Sequence, residues 1–119
     1  KLKLIGKDID NKSHRQIEIG NGYDHVFLLN ENKKIYMEDK ISKRNMTIKT
    51  NQECVVIYTM NYEHEKTSYT GKVPPIRHGI CFETQRPPIG RNMCYLEESL
   101  LKKGEQYEQK TEYIFNLVK

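Results

Sequence analysis

Six short runs rich in β-branched and aromatic residues, each bounded by turn-forming residues, constrain this chain more than any other feature. They are Asp24 to Leu29, Ile35 to Asp39, Asn45 to Thr50, Cys54 to Met60, Gly79 to Gln85 and Tyr107 to Leu117. Almost no helical period accompanies them, so the expected structure is built from strands. Asn30 to Asn32 and Asn51-Gln52 supply turn residues that accept left-handed or Asx geometry, and Lys40 to Arg44 reads as a hairpin connection. The spacing predicts an antiparallel meander with one face buried. Asn61 to Pro75 reads as a long surface loop. Pro87-Pro88 closes the strand before it, because proline cannot donate to a ladder. Tyr95 to Lys103 is expected to make a short helical turn, stopped by Gly104.

The 119 residues amount to one domain, with no internal boundary, repeat or low-complexity stretch. A hydrophobic fraction of 36% is thin for a β domain that must close its own core. The 20 basic and 16 acidic residues leave a charge of +4. The basic residues are scattered rather than gathered into a stripe, so a nucleic-acid partner is not expected. No stretch reaches the apolar length of a membrane span, and no signal-peptide pattern opens the chain. Cys54, Cys81 and Cys94 are odd in number and lack CxxC spacing, which fits a reducing cytoplasm better than a disulfide framework. His14, His25, His64 and His78 lie too far apart for a local metal motif.

Three stretches hold residues of chemical interest. His78 to Gln85 places one carboxylate, Glu83, inside an otherwise apolar strand-type run. Alternation puts Ile80, Phe82 and Thr84 on one face and Cys81, Glu83 and Gln85 on the other. Glu83 is then either a solvent-facing residue of an edge strand or a carboxylate withdrawn from water and suited to general-base work. Gly22-Tyr23-Asp24-His25 stands at the entrance to an apolar strand. Glycine there lets the backbone bend, and Asp24 and His25 point to opposite faces. Asp24 either accepts hydrogen bonds from a polyhydroxyl ligand or simply begins the strand. Val55 to Tyr62 runs from an apolar strand into a polar end, with Tyr58 on the Val56 face. A ring so placed completes a core or stacks on the C–H side of a sugar.

Taken in order, Gly-Tyr-Asp-His at 22–25, Tyr-Thr-x-Asn at 58–61, His-Gly-x-Cys-Phe-Glu-Thr-Gln at 78–85 and Lys-Lys-Gly-Glu-Gln-Tyr at 102–107 resemble the aldose 1-epimerase, or galactose mutarotase, family. The likeness runs over about residues 6 to 117 and is to the C-terminal part of the family. It implies an all-β fold, an antiparallel β-sandwich of the mutarotase type represented here by its C-terminal portion, with no second domain. It also implies interconversion of the α and β anomers of free hexoses such as galactose and glucose, without metal or organic cofactor. In that scheme Glu83 is the general base and Asp24 holds sugar hydroxyls. Tyr58 lines the sugar cleft, and Gln85 positions Glu83 or touches the sugar.

The resemblance also marks what these residues do not supply. The family's acid histidine lies in an Asn-His-x-Tyr/Phe-Asn-Leu motif, which does not occur in this sequence. Neither His25 nor His78 sits in that motif. The expected partners are therefore a free hexose and either an N-terminal half or a second copy of the chain, because a C-terminal part alone exposes strand edges and apolar faces. The competing reading is a non-catalytic carbohydrate-binding β module. A hexose 6-phosphate epimerase would need an arginine cluster for the phosphate, and Arg77, Arg86 and Arg91 are the nearby candidates. The free-sugar reading fits the Gly-Tyr-Asp-His and Glu-Thr-Gln motifs better.

Overall fold

A computed structural model of the chain describes residues 15–63 and 70–118. Six strands dominate: β1 (Asp24–Leu28), β2 (Lys34–Asp39), β3 (Arg44–Thr50), β4 (Cys54–Tyr58), β5 (Cys81–Gln85) and β6 (Thr111–Leu117). Among the described residues, two short helices, α1 (Arg15–Ile19) and α2 (Leu96–Ser99), and a 3-10 turn at Arg91–Met93 accompany the strands. The all-β class and the two antiparallel sheets that a sandwich needs are present. α2 falls inside the helical turn predicted over Tyr95 to Lys103. α1 does not follow from strand-type patterning and is a correction to it.

The meander is the other correction. The sheets run β1-β4-β5 and β2-β3-β6, so β1 passes over its sequence neighbour and pairs with β4. Bonds from Thr59 and Asn61 to Tyr23 and from Leu29 to Glu53 tie β1 to β4, while β2 folds back on β3 through a tight connection. The Asp39 carboxylate accepts the backbone N–H groups of Ile41 at 3.0 Å and Ser42 at 3.3 Å, while Lys43 takes the left-handed conformation at φ 56°. This closes a local hairpin between β2 and β3.

The chain divides into two compact units, Lys1–Val26 with Val56–Glu83 and Phe27–Val55 with Thr84–Lys119. In the second unit, β3 is the middle strand of its sheet. Ile48 faces Ile35 on β2 and Tyr113 on β6, and Met46 faces Met37 and Phe115. Ile48 is fully buried, and the apolar pairs across β3 supply the side-chain contacts that hold such a sheet. Towards the outer end of β6 the same row becomes solvent-facing, with Phe115 and Leu117 mostly exposed. Polar bonds fix the β3–β6 register. Asn51 Nδ2 donates to the Glu108 carbonyl at 3.1 Å, its Oδ1 accepts the Lys110 N–H at 2.9 Å, and the Thr50 and Thr111 hydroxyls lie 3.2 Å apart. The Lys49–Glu112 ion pair at 3.6 Å is about half exposed on both sides and contributes little.

In the first unit, Ile17 from α1 packs with Tyr23, and the half-buried Ile57 joins them. The end of α1 determines how the chain enters β1. Gly22 N–H donates to the Ile17 carbonyl at 2.9 Å and Asn21 N–H to the Glu18 carbonyl at 3.4 Å, with Asn21 left-handed at φ 52°. This pair of bonds is a Schellman-type stop, which satisfies carbonyls that the helix end would otherwise leave open.

Candidate active site

Gly22 follows the Schellman turn at φ +143°, in a region that side chains rarely adopt. A Cβ there would stand 2.6 Å from Arg77 Nη1 and 2.7 Å from Thr59 Oγ1, and would collide with Asn61 Oδ1. Three polar side chains thus close around a bare Cα, and the glycine of the Gly-Tyr-Asp-His motif is there to let them in.

Thr59 and Asn61 are almost wholly buried, at 3% and 1% exposure, so their polar atoms must find partners inside the protein. They find them on Tyr23 and on each other. Tyr23 N–H donates to Thr59 Oγ1 at 3.0 Å, and the Thr59 hydroxyl donates to Asn61 Oδ1 at 2.7 Å. Asn61 Nδ2 donates to the Tyr23 carbonyl at 2.8 Å, which also accepts the Thr59 N–H at 3.2 Å. From the loop side, Arg77 Nη2 donates to the Asn21 carbonyl at 2.8 Å, while its buried Nη1 has no hydrogen-bond partner among the described residues. Met60 and Arg77, joined by an Arg77 N–H bond to the Met60 carbonyl at 2.9 Å, are both left-handed. Such conformations persist where surrounding structure enforces them.

These bonds set the pairing of β1 with β4. Thr59 N–H reaches the Tyr23 carbonyl at one end, and Leu29 N–H reaches the Glu53 carbonyl at 2.9 Å at the other. The residue numbers of each pair have the same sum, as an antiparallel register requires, so Asp24 stands directly opposite Tyr58. Opposed residues share a face. Asp24 is exposed there, and Tyr58 is half-buried with its hydroxyl oxygen accepting the Asn61 N–H at 3.2 Å. His25 turns to the other face, where its ring meets Tyr23 edge-on at 5.6 Å between centroids. The expectation that Asp24 and His25 diverge is met.

Glu83 sits in the middle of β5, an edge strand of its sheet, and is exposed. Phe82 and Thr84 on the alternate face are more covered than Cys81 and Glu83. Of the two expected placements, the structure shows Glu83 on the solvent-facing side of an edge strand. β4 separates its strand from that of Asp24. Gln85, half-buried two residues further on, belongs to the second unit, where its carbonyl accepts a hydrogen bond from the Cys54 thiol at 3.2 Å. His78 is exposed, and His14 and His64 lie outside the described residues.

Of the Tyr-Thr-x-Asn motif, the sequence alone brings out Tyr58. Thr59 and Asn61 lie just past the end of β4 and read as the polar start of a loop; only their burial against Tyr23 singles them out.

A family model described as aldose 1-epimerase matches residues 2–114. The chain belongs to the aldose 1-epimerase family. Among curated proteins it is similar to the galactose mutarotase of Sus scrofa, with 31% identity over 118 residues, 95% of this chain and 34% of that protein. The galactose mutarotases of Mus musculus and Homo sapiens are each 30% identical over the same shares. The chain therefore spans about a third of the length of the curated relatives it matches. No solved structure matches. The aldose 1-epimerase match includes Asp24, Tyr58, Glu83 and Gln85. Among the described residues, no helix is long and apolar enough to cross a membrane.

Proposed function

We propose that this chain supplies the base and hydroxyl anchor of an aldose 1-epimerase that interconverts the α and β anomers of free hexoses such as galactose and glucose. The observation that carries the reading is the family match across both carboxylates, with Asp24 exposed opposite Tyr58 and Glu83 exposed on the same sheet.

The chemistry is a pair of proton transfers. Glu83 takes the proton from the anomeric hydroxyl as the C1–O5 bond breaks, and the ring oxygen receives a proton from an acid. The open aldehyde rotates about C1–C2. Ring closure on the other face returns the proton from Glu83 to the new anomeric oxygen and restores the acid. Asp24 accepts hydrogen bonds from hydroxyls remote from C1 and so fixes the sugar while C1 turns. Tyr58 offers the ring that covers the sugar's C–H side. Gln85 is the proposed orienting group for Glu83, on the alternation of β5. The acid is assigned to an upstream portion of the family fold, whose histidine motif these residues lack.

That missing motif favours a second reading, a carbohydrate-binding β module that holds hexoses through Asp24 and Tyr58 without turning them over. The optical rotation of fresh α-hexose solutions decides between the two. Acceleration that disappears in Glu83→Gln supports the epimerase, whereas binding without acceleration in a preparation that also contains the acid supports the module.

A further inference from the structure

We propose that Thr59 and Asn61, braced by Arg77, are positioning residues for Asp24. The role rests on the reading of Asp24 as a hydroxyl anchor and goes beyond it, because neither side chain is asked to touch the sugar.

The peptide between Tyr23 and Asp24 is held from both sides. Its carbonyl accepts Asn61 Nδ2 at 2.8 Å and the Thr59 N–H at 3.2 Å, and its N–H donates to His25 Nδ1 at 2.8 Å. The preceding peptide is held as well, through the Tyr23 N–H on Thr59 Oγ1 at 3.0 Å. With both planes fixed, the backbone approaching Asp24 Cα has little freedom, and the exposed carboxylate retains only its own side-chain torsions. Arg77 extends the brace one step back, since its bond to the Asn21 carbonyl holds the turn before Gly22.

The composition of this cluster points to placement rather than to stability alone. Thr59 Oγ1 takes the Tyr23 N–H where a strand partner would ordinarily offer a carbonyl, so these side chains, and not the ladder alone, fix the backbone before Asp24. Here buried polar groups, left-handed Asn21, Met60 and Arg77, and a Cβ-intolerant glycine all gather at the residue before Asp24. Strain retained in this way is a feature of sites where geometry is under demand.

The test is a hexose titration of the full chain, with galactose and glucose as probes, followed through backbone amide resonances. Thr59→Val keeps the shape and removes the hydroxyl, while Thr59→Ser keeps the hydroxyl. Thr59→Val should weaken binding about tenfold, the equivalent of one lost hydrogen bond. Thr59→Ser should restore it. If Thr59 acts through Asp24, then Asp24→Ala with Thr59→Val binds no more weakly than Asp24→Ala alone. Should Thr59→Val not fold, Arg77→Leu keeps the packing stem, removes the brace and must show the same non-additivity with Asp24→Ala. Parent-like binding by these variants, or losses that multiply with that of Asp24→Ala, would overturn the positioning role while leaving the anchor intact. Absence of hexose binding by the parent chain would overturn the anchor and this role together.

Discussion

Asp24 and Tyr58 stand opposite one another across the β1–β4 pair, the carboxylate exposed and the ring half-buried on a shared face. A carboxylate and an aromatic ring on one face are suited to a ligand with hydroxyls at its rim and C–H bonds on its face. Because Asp24 is exposed and its carboxylate has no structural task in the strand, its removal should separate binding from stability. Asp24→Ala is expected to weaken hexose binding by about ten- to a hundredfold, the range for a charged hydrogen bond. Its unfolding free energy should stay within about 0.5 kcal/mol of the parent's. Titration and denaturant unfolding of the same samples check both.

Gly22 should behave in the opposite way. At φ +143°, with Asn61, Thr59 and Arg77 closed around its Cα, it leaves no room for a methyl group. Gly22→Ala is expected to cost about 2–4 kcal/mol, combining backbone strain with disruption of a buried polar cluster. Urea unfolding measures it, and a loss below about 0.5 kcal/mol would contradict the packing described.

The three thiols should differ in reactivity. Cys54 is buried, and desolvation holds its thiol above the ordinary value, with Glu53 adding to the effect, while Cys81 and Cys94 are exposed. Since the thiolate is the reactive form, iodoacetamide at mildly alkaline pH should label Cys81 and Cys94 first. Cys54 should follow only with unfolding. Intact-mass spectrometry over time distinguishes this order from equal labelling.

The β2–β3 hairpin should be pH-sensitive at both ends of the scale. Hydrogen bonds from Ser42 and then Ile41 hold the Asp39 carboxyl below its ordinary 3.8. Its contribution is therefore present above that value and lost as pH falls through the lower folded value. The Tyr36 hydroxyl donates to Glu38 Oε2 at 2.8 Å, and this bond raises its pKa above 10.0. That contribution is complete below pH 10.0 and lost as pH rises through the higher folded value. Amide shifts of Ile41 and Ser42 follow the acid limb, and Tyr36 absorbance follows the alkaline one. Asp39→Asn should abolish the first alone.

How much of this was legible in the chain depended on the range of the interaction. Strand positions followed from local alternation and from Asn-rich turns, so all six strands fall inside or within a residue of the expected runs. Which strand neighbours which is a non-local choice. Val26 to Leu28 could pair with β2 or with β4, and the bonds from Thr59 and Asn61 to Tyr23 and from Leu29 to Glu53 select the second. Arg15 to Ile19 is a single helical turn, too short for a helical period to show against strand-like spacing. The site divided in the same way. The family motifs brought out Asp24, Tyr58 and Glu83, but Thr59, Asn61 and Arg77 look like loop polarity until their burial against Tyr23 is seen. Exposure of Glu83 was one of two open readings, and only the edge position of β5 selects it.

The most direct test of the catalytic reading is polarimetry on freshly dissolved α-glucose and α-galactose, with the parent chain and with Glu83→Gln. The reading predicts relaxation faster than the spontaneous rate when the site receives its acid, from an upstream portion of the fold or a group within this chain. Glu83→Gln should lose that acceleration while still binding sugar. Acceleration that survives Glu83→Gln would contradict Glu83 as the base, and bound hexose with no acceleration from a preparation containing the acid would contradict the epimerase itself.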